Sequence, residues 1–377
     1  MRIRASLAAL LILASSWSLA HAQQPLSDQQ SLPADGQPLS TARIVRLDPS
    51  LDRIVSQNEK VYVVKGENSF GITDGNVWLP SCQCFLFSDI VANVIYQYSP
   101  ATQKLSVFLN NSGYTGSMAK VAAMGYLARS GPFYVYDFGS NGIAIDPQGR
   151  VVFVAQGDRA IVRLEPDGKR TVLANKYQGK HFNRPNKLAI RSDGTIYFSD
   201  LAFPTCADCQ LSYPQALYML KDGKVTLLEQ RGHGVTLSPD QKVLYVGTNK
   251  PGVGGSPAGG IIMRYDIQAD DTLANGRVLV DMSGPRPPGE VSGGPDGFAV
   301  DREGNIYSGG PGGMWIINPQ GKHIGTIILP QSTTNVGFGG QDMKTLFLLD
   351  RRNLLKIQLK IAGVLPPSGP VYRVAIN

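Results

Sequence analysis

An all-β fold is what this sequence predicts, and three observations carry the prediction. The first is a short grammar repeated along the chain: a polar residue, a short apolar strand, a turn rich in Gly, Asp or Pro, and a second apolar strand. Its clearest copy is Asn186 to Asp200, NKLAIRSDGTIYFSD, where Asp-Gly between two β-rich runs is a strong hairpin signal. The second is spacing: the copies recur at roughly 40–65 residues, the range of propeller blades with loop insertions. The third is composition. Amphipathic helix is nearly absent, and 42 Gly with 25 Pro suit a turn-dense β chain. Six copies of about four short strands each cannot bury their faces singly, but stacked radially they can. The sequence therefore predicts a six-bladed β-propeller. A pair of β-sandwiches accounts for the strands but not for the repetition.

Taken in order, residues 1–22 read as a signal peptide. Arg2 and Arg4 form a basic head, Ala5 to Ala20 is apolar, and Ala20-His21-Ala22 supplies the small-x-small cleavage site. An exported protein, periplasmic or secreted and cut after Ala22, is expected. No other apolar run is long enough to span a bilayer. Residues 23–41, rich in Gln, Ser and Pro, read as a disordered leader. The propeller is expected over 42–377, with one strand at Val61–Val64 before the first copy. That copy opens at Asp74 (DGNVWLPSCQCFLFSD), and the others open at Asn141, Asn186, His233, Asp296 and Asn335. Ser117 to Arg129 is the one stretch that suggests a short helix.

Removing the signal peptide lowers the formal charge from +7 to +5, because Arg2 and Arg4 leave and no acid does. The remaining basic residues are scattered, which excludes a nucleic-acid reader on charge grounds. The four cysteines stand as Cys82-x-Cys84 and Cys206-x-x-Cys209. In an oxidising compartment disulfides are the default reading. A zinc site shared by the two pairs is disfavoured, because the pairs fall at opposite ends of their blades. Their pairing is left open, since Cys82-x-Cys84 is tight for a local bridge. Trp78 and Trp315 alternate with polar neighbours and read as inter-blade core. His181 reads as a loop histidine and His323 as a solvated turn residue.

In a propeller the innermost strand of each blade lines the channel, so the six opening residues are expected to converge on the axis. Asp74, Asn141, Asn186, His233, Asp296 and Asn335 all carry oxygen or imidazole donors. Turns favour Asp and Asn for their own sake, but a His with two carboxylates and three amides in one ring points to a cation site.

The runs LFSDIVANVIYQY, NGIAIDPQGR, RLEPDGKRTVLANKYQGKHFNRPN, SDGTIYFSD, LSPDQKVLYV, PDGFAVDREGNIY and TNVGFGG together resemble the gluconolactonase and senescence-marker-protein family, over about Leu47 to Gly363. That family includes regucalcin and resembles diisopropylfluorophosphatase in fold. The resemblance implies a six-bladed propeller, one divalent cation at the channel mouth and hydrolysis of small, typically sugar-derived, lactones. It places the metal ligands on Asp74, Asn186, His233 and Asp296. Two of these depart from the family in type: Asp74 stands for a Glu and His233 for an Asn. Beside them Lys187 stands for an Asp. A set of Asp, Asn, His and Asp suits zinc, manganese or iron better than calcium.

Three functions follow as expectations. In the first, a metal-dependent lactonase, Asp296 is the general base at a metal-bound water, and Arg184, Asn141 and Lys187 bind the substrate. The loops Met124 to Phe138 and Pro251 to Gly260 wall the pocket. In the second, a hydrolase or isomerase with an altered or absent metal, His233 is the base, since an imidazole titrates near neutrality. In the third, the propeller is a non-catalytic platform for a small ligand.

Overall fold

The computed structural model describes residues 34–66, 69–123, 127–130, 133–202, 211–213, 215–248, 260–283, 291 and 293–368. The expected signal peptide, Cys206, Cys209 and most of the Pro251 to Gly260 loop lie outside them. The chain divides into two compact units, and everything described belongs to the second, Leu32–Asn377. Among the described residues no helix is long and apolar enough to cross a membrane.

Six antiparallel sheets form the six blades of a β-propeller. Blade 1 runs Thr73–Leu79, Cys84–Asp89, Val94–Ser99 and Lys104–Asn110. Blade 2 runs Ser140–Ile145, Val151–Ala155, Ala160–Leu164 and Arg170–Ala174. Blade 3 runs Pro185–Ile190, Ile196–Asp200, Ala216–Lys221 and Lys224–Glu229. Blade 4 runs Val235–Leu237, Val243–Thr248, Ile261–Ile267 and Leu273–Asp281. Blade 5 runs Phe298–Val300, Ile306–Gly310, Gly313–Ile317 and His323–Ile328. Blade 6 takes Asn335–Gly339, Thr345–Leu349 and Leu354–Gln358 from its own copy. The six copies thus fold as the repeated grammar predicts, each first strand innermost.

Blade 6 departs from the rule of four strands per copy. Its outer strand is Tyr62–Lys65, paired antiparallel to Leu354–Gln358, so the start of the domain closes the ring onto its end. Arg43–Arg46 adds a fifth, outermost strand to blade 5 along His323–Ile328. The described end of the expected leader, residues 34–41, is held too. Gly36 and Leu39 donate to the carbonyls of Val63 (2.7 Å) and Val61 (2.8 Å), and Leu39 is buried. The apolar Leu39 and the free edge of Tyr62–Lys65 outweigh the polar composition around them.

The core lies between blades, as radial stacking requires. Ile143 and Phe153 of blade 2 pack with Leu86 and Ile95 of blade 1. Phe198 and Tyr218 of blade 3 pack with Val152 and Ile161 of blade 2. A larger cluster spans blades 5, 6 and 1, where Phe85 stacks on Phe347 at 4.2 Å and Trp78 is fully buried. Full burial of each such side chain contributes about 1.5–3 kcal/mol. Trp315 is only partly buried and stacks on His323 at 3.6 Å. His323 is therefore not the solvated residue expected. Burial pulls its imidazole down to about 4. The expected helix shrinks to Met118–Ala123, followed by a hairpin of Leu127–Ser130 and Phe133–Tyr136. The second strand of that hairpin, Phe-Tyr-Val-Tyr, is made of β-formers. Cys82 and Cys84 sit at the turn between the first two strands of blade 1, with sulfurs at bonding distance and Cα atoms 5.2 Å apart.

One buried acid works against the fold. Asp350, at the end of the second strand of blade 6, is wholly inaccessible, and burial pushes its carboxyl up to about 8 although Asn353 pulls the other way. The unfolded chain releases that proton near pH 4, so between about pH 4 and 8 the folded form holds more protons and this group's contribution to stability falls as pH rises. Asp350→Asn is expected to stabilise the protein by about 1–3 kcal/mol at pH 8 and by almost nothing at pH 4. Urea titrations at the two pH values check this. Equal effects at both would mean that the carboxyl is not titrating.

Candidate active site at the channel mouth

Two blades fix the opening residues through the end of their second strand. In blades 1 and 3 the second strand ends Ser-Asp. The Asp reaches back within its own blade. Asp89 accepts from the amides of Gly71 (2.9 Å) and Ile72 (3.4 Å), and Asp200 from those of Asn183 (2.8 Å) and Arg184 (2.6 Å). The Ser reaches into the next blade. Ser88 Oγ donates to the carbonyl of Asn141 (3.0 Å), and Ser199 Oγ to that of His233 (2.6 Å). One dipeptide thus fixes the loop entering one opening residue and the carbonyl of the next. Burial raises Asp200 to about 6 in spite of these amides.

Asp74, Asn141, His233 and Asp296 are each followed by glycine. The reason is close approach between blades. A Cβ on Gly75 would lie 1.7 Å from the Asn141 carbonyl oxygen, and one on Gly234 2.0 Å from that of Asp296. In blade 3 the residue at this place is Lys187. Its backbone amide donates to Ser199 Oγ (3.1 Å), and its side chain runs to the axis.

There Lys187 joins the opening residues together. Its ammonium donates to Asp74 Oδ1 and to Asn141 Oδ1 at 3.0 Å, and pairs by charge with Asp296 Oδ1 at 2.9 Å. Asn335 Nδ2 donates to Asp74 Oδ1 at 3.1 Å. His233 Nε2 lies 3.0 Å from Asp296 Oδ1. Asn186 Nδ2 and Asn141 Nδ2 both donate to Gln156 Oε1, at 3.1 and 3.4 Å, and Gln156 Nε2 donates to Asp137 Oδ1 at 2.9 Å. Asp137 Oδ2 takes Arg184 at 2.5 Å. The six opening residues, separated by up to 261 positions in sequence, therefore meet in one network.

Exposure divides this network. The Lys187 side chain is 4 % exposed, whereas those of His233 and Asp296 are 33 % and 25 % exposed. Lys187, expected to meet an anionic substrate from the rim, is sealed behind the carboxylates. Asn141, expected to touch substrate, is 2 % exposed and has both ends of its amide engaged. His233, Asp296 and the partly buried Arg184 are the expected residues that remain reachable.

The electrostatics follow from one ammonium between two carboxylates. Burial alone would raise Asp296, but His233 and Lys187 outweigh it and hold the carboxyl far below its ordinary value. Asp74 is raised, because burial and the Asp296 charge together exceed the pull of Lys187. Lys187 is raised in spite of its burial, by Asp296 and Asp74. Of the two acids, Asp296 is the one held in its charged form, and it is the one placed beside His233.

A divalent cation fits these residues poorly. Asn186 Oδ1 is buried without a hydrogen-bond partner, and so is one donor still available. Both carboxylates, however, are already on the Lys187 ammonium. The ammonium would repel a divalent ion about 4 Å away by about 8 kcal/mol at an effective dielectric of about 20, which cancels what one ionised carboxylate at that distance would offer the ion. Among the described residues no group of three or more His, Cys, Asp or Glu side chains is arranged to hold a metal.

Below the network, on the axis, lies a cavity of about 340 Å³ walled by Ile145, Leu237, Val300 and Phe338, roofed by Lys187 and Asn335, and bordered by Val364 to Pro367. Its walls are strand interiors, and the reachable groups His233 and Asp296 are not among them. Of the expected pocket loops, Phe138 is buried against Tyr114, and His181 is exposed on a short hairpin with Lys180. Gln156 was not legible as a site residue, and Asp137 was legible only as part of the expected pocket loop from Met124 to Phe138. Each follows or precedes a strand in a run without repeats elsewhere, and only the folded chain brings them to Asn186 and Arg184.

The sequence profile described as SMP-30/Gluconolactonase/LRE-like region matches residues 72–350. A gluconolactonase of Zymomonas mobilis is 28 % identical over 332 residues, 85 % of this chain and 87 % of that protein. Among solved structures, a gluconolactonase from Xanthomonas campestris superposes with a TM-score of 0.67 at 24 % identity, covering 88 % of this chain and 98 % of the other. A calcium-binding regucalcin from Agrobacterium tumefaciens gives a TM-score of 0.58 at 18 % identity, covering 82 % and 97 %. At these identities the two structures speak for the fold.

Proposed function

The chain belongs to the SMP-30/gluconolactonase/LRE-like family, and from that premise we propose that it is a lactone hydrolase whose working base is His233. The single observation that carries the mechanism is the His233–Asp296 pair: an imidazole one-third exposed at the mouth, with Nε2 held at 3.0 Å by an ionised carboxylate. A base oriented by an acid is the arrangement used to activate a nucleophile. Here the nucleophile is water. His233 takes its proton through the ring nitrogen not held by Asp296. The hydroxide adds to the lactone carbonyl carbon, the ring C–O bond breaks, and the alkoxide takes the proton back. The product is the open hydroxy acid.

Asp296 serves as the orienting acid rather than as a base on a metal-bound water, because its Oδ1 is shared between His233 and Lys187. Arg184, tethered to Asp137, is the donor for substrate oxygens and for the developing negative charge. The substrate class is small cyclic esters, sugar-derived lactones first. The gluconolactonase named among the relatives supports that class. Location is part of the proposal: residues 1–22 direct export, and the Cys82–Cys84 bond suits an oxidising compartment. A divalent cation, zinc, manganese or calcium, is the cofactor that the family resemblance implies; the ammonium on both carboxylates speaks against it here.

The test is acid release from glucono-δ-lactone and from simple γ- and δ-lactones, followed in a pH-stat with the spontaneous rate subtracted. Turnover by the purified chain above that rate supports the proposal; binding without turnover would favour a ligand platform. Arg184→Ala is expected to raise KM about 10–100-fold, since it removes a charge-assisted hydrogen bond worth about 1.5–3 kcal/mol.

A further inference from the structure

We infer that Lys187 is the resident cation of the channel mouth, so that this chain keeps its site assembled without a bound divalent metal. The inference deepens the lactonase reading and rests on the same ring, but its test does not depend on turnover. Three observations carry it. The ammonium reaches two carboxylates on different blades, Asp74 and Asp296, and an amide oxygen on a third, Asn141. That is the task of a central ion: to draw together oxygens projecting from several blades. The side chain is also as buried as the core, so it is a structural counter-charge and not a surface lysine. Finally, Lys187 breaks a local rule. Four of the six opening residues are followed by a glycine that lets the next blade pass; Asn335 is followed by the apolar Val336, and Asn186 alone by a charged residue.

A metal ion brings several coordination sites and +2; a lysine brings three donors and +1. The difference is visible in what is left over: Asn186 Oδ1 stays buried without a partner. Removing the lysine and returning an oxygen donor at its position should therefore create a cation site where none is needed now.

The experiment measures metal content and thermal stability of the purified full-length chain, with Lys187→Asp and Lys187→Asn beside it. Elemental analysis after dialysis is expected to find the wild type without stoichiometric metal. Its Tm should not move with chelator or with added calcium, manganese or zinc. Lys187→Asp should bind one divalent ion and gain about 3–4 °C at a hundredfold excess over Kd. Lys187→Asn serves if the Asp variant does not fold. A wild-type chain that retains one ion through dialysis, or whose Tm falls with chelator, overturns the inference. So do folded variants that take up no ion. A chain that opens no lactone yet is metal-free overturns the proposed function alone. One that opens lactones and holds its metal overturns this inference alone.

Discussion

His233→Ala is expected to lower kcat for lactone opening by about 10²–10⁴-fold while KM changes little, the loss typical of a missing general base. The fold should survive, because the side chain is one-third exposed and its backbone, not its imidazole, is what Ser199 and Gly247 hold. Exogenous imidazole should restore part of the rate, since the cavity left behind opens to solvent. His233→Asn makes the comparison sharper. Asparagine is the family's residue at this place and an adequate oxygen ligand, so a metal-centred site would tolerate it. A site that needs a base would not. Asp296→Asn should cost rate as well, but it also strips a carboxylate from Lys187, so its loss of stability must be measured alongside. Retention of kcat in His233→Ala would remove the imidazole from the chemistry.

The fold was legible because its repeat is local. Each blade announces itself through a polar opening residue, a strand, an Asp- or Gly-bearing turn and a second strand, all within a span where periodicity and turn chemistry operate. Asp74, Asn141, Asn186, His233, Asp296 and Asn335 could be placed together from that repetition alone. Ring closure was not legible. The pairing of Tyr62–Lys65 with Leu354–Gln358 joins the two ends of the domain, and no turn or spacing marks a partner so distant. The roles at the mouth were only half legible. Read along the chain, Lys187 is a lysine in a loop before a strand, and such lysines are usually solvated. Its burial follows from carboxylates that lie 113 residues before and 109 after it, facing the same axis. The clue in the sequence was a charged residue after Asn186 where four other copies have glycine, and its meaning depends on how closely one blade passes the next. His323 shows the same limit in miniature: a turn histidine beside a Gly-Lys pair becomes a half-buried ring only because Trp315 stands across the strand pair from it.

Lys187→Met should destabilise the protein by about 3–5 kcal/mol, the cost of breaking a buried ion pair from one side. Methionine keeps most of the volume, so the effect isolates charge from packing. What remains is two carboxylates, Asp74 and Asp296, drawn to the axis with no cation between them. Asp74 already binds its proton more tightly than an ordinary acid, and without the ammonium it should do so further. The folded variant then holds more protons than its unfolded chain above about pH 4. Its stability should therefore fall as pH rises, and its deficit against wild type should be larger at pH 8 than at pH 5. Adding Asp74→Asn removes one of the two charges and should recover a substantial part of the loss, a coupling of about 1–3 kcal/mol in a double-mutant cycle. Denaturant unfolding at both pH values measures all three chains. A Lys187→Met protein as stable as wild type would mean that the ammonium repays no more than its own desolvation, and the ring would then have to be held by its serines, amides and glycines alone.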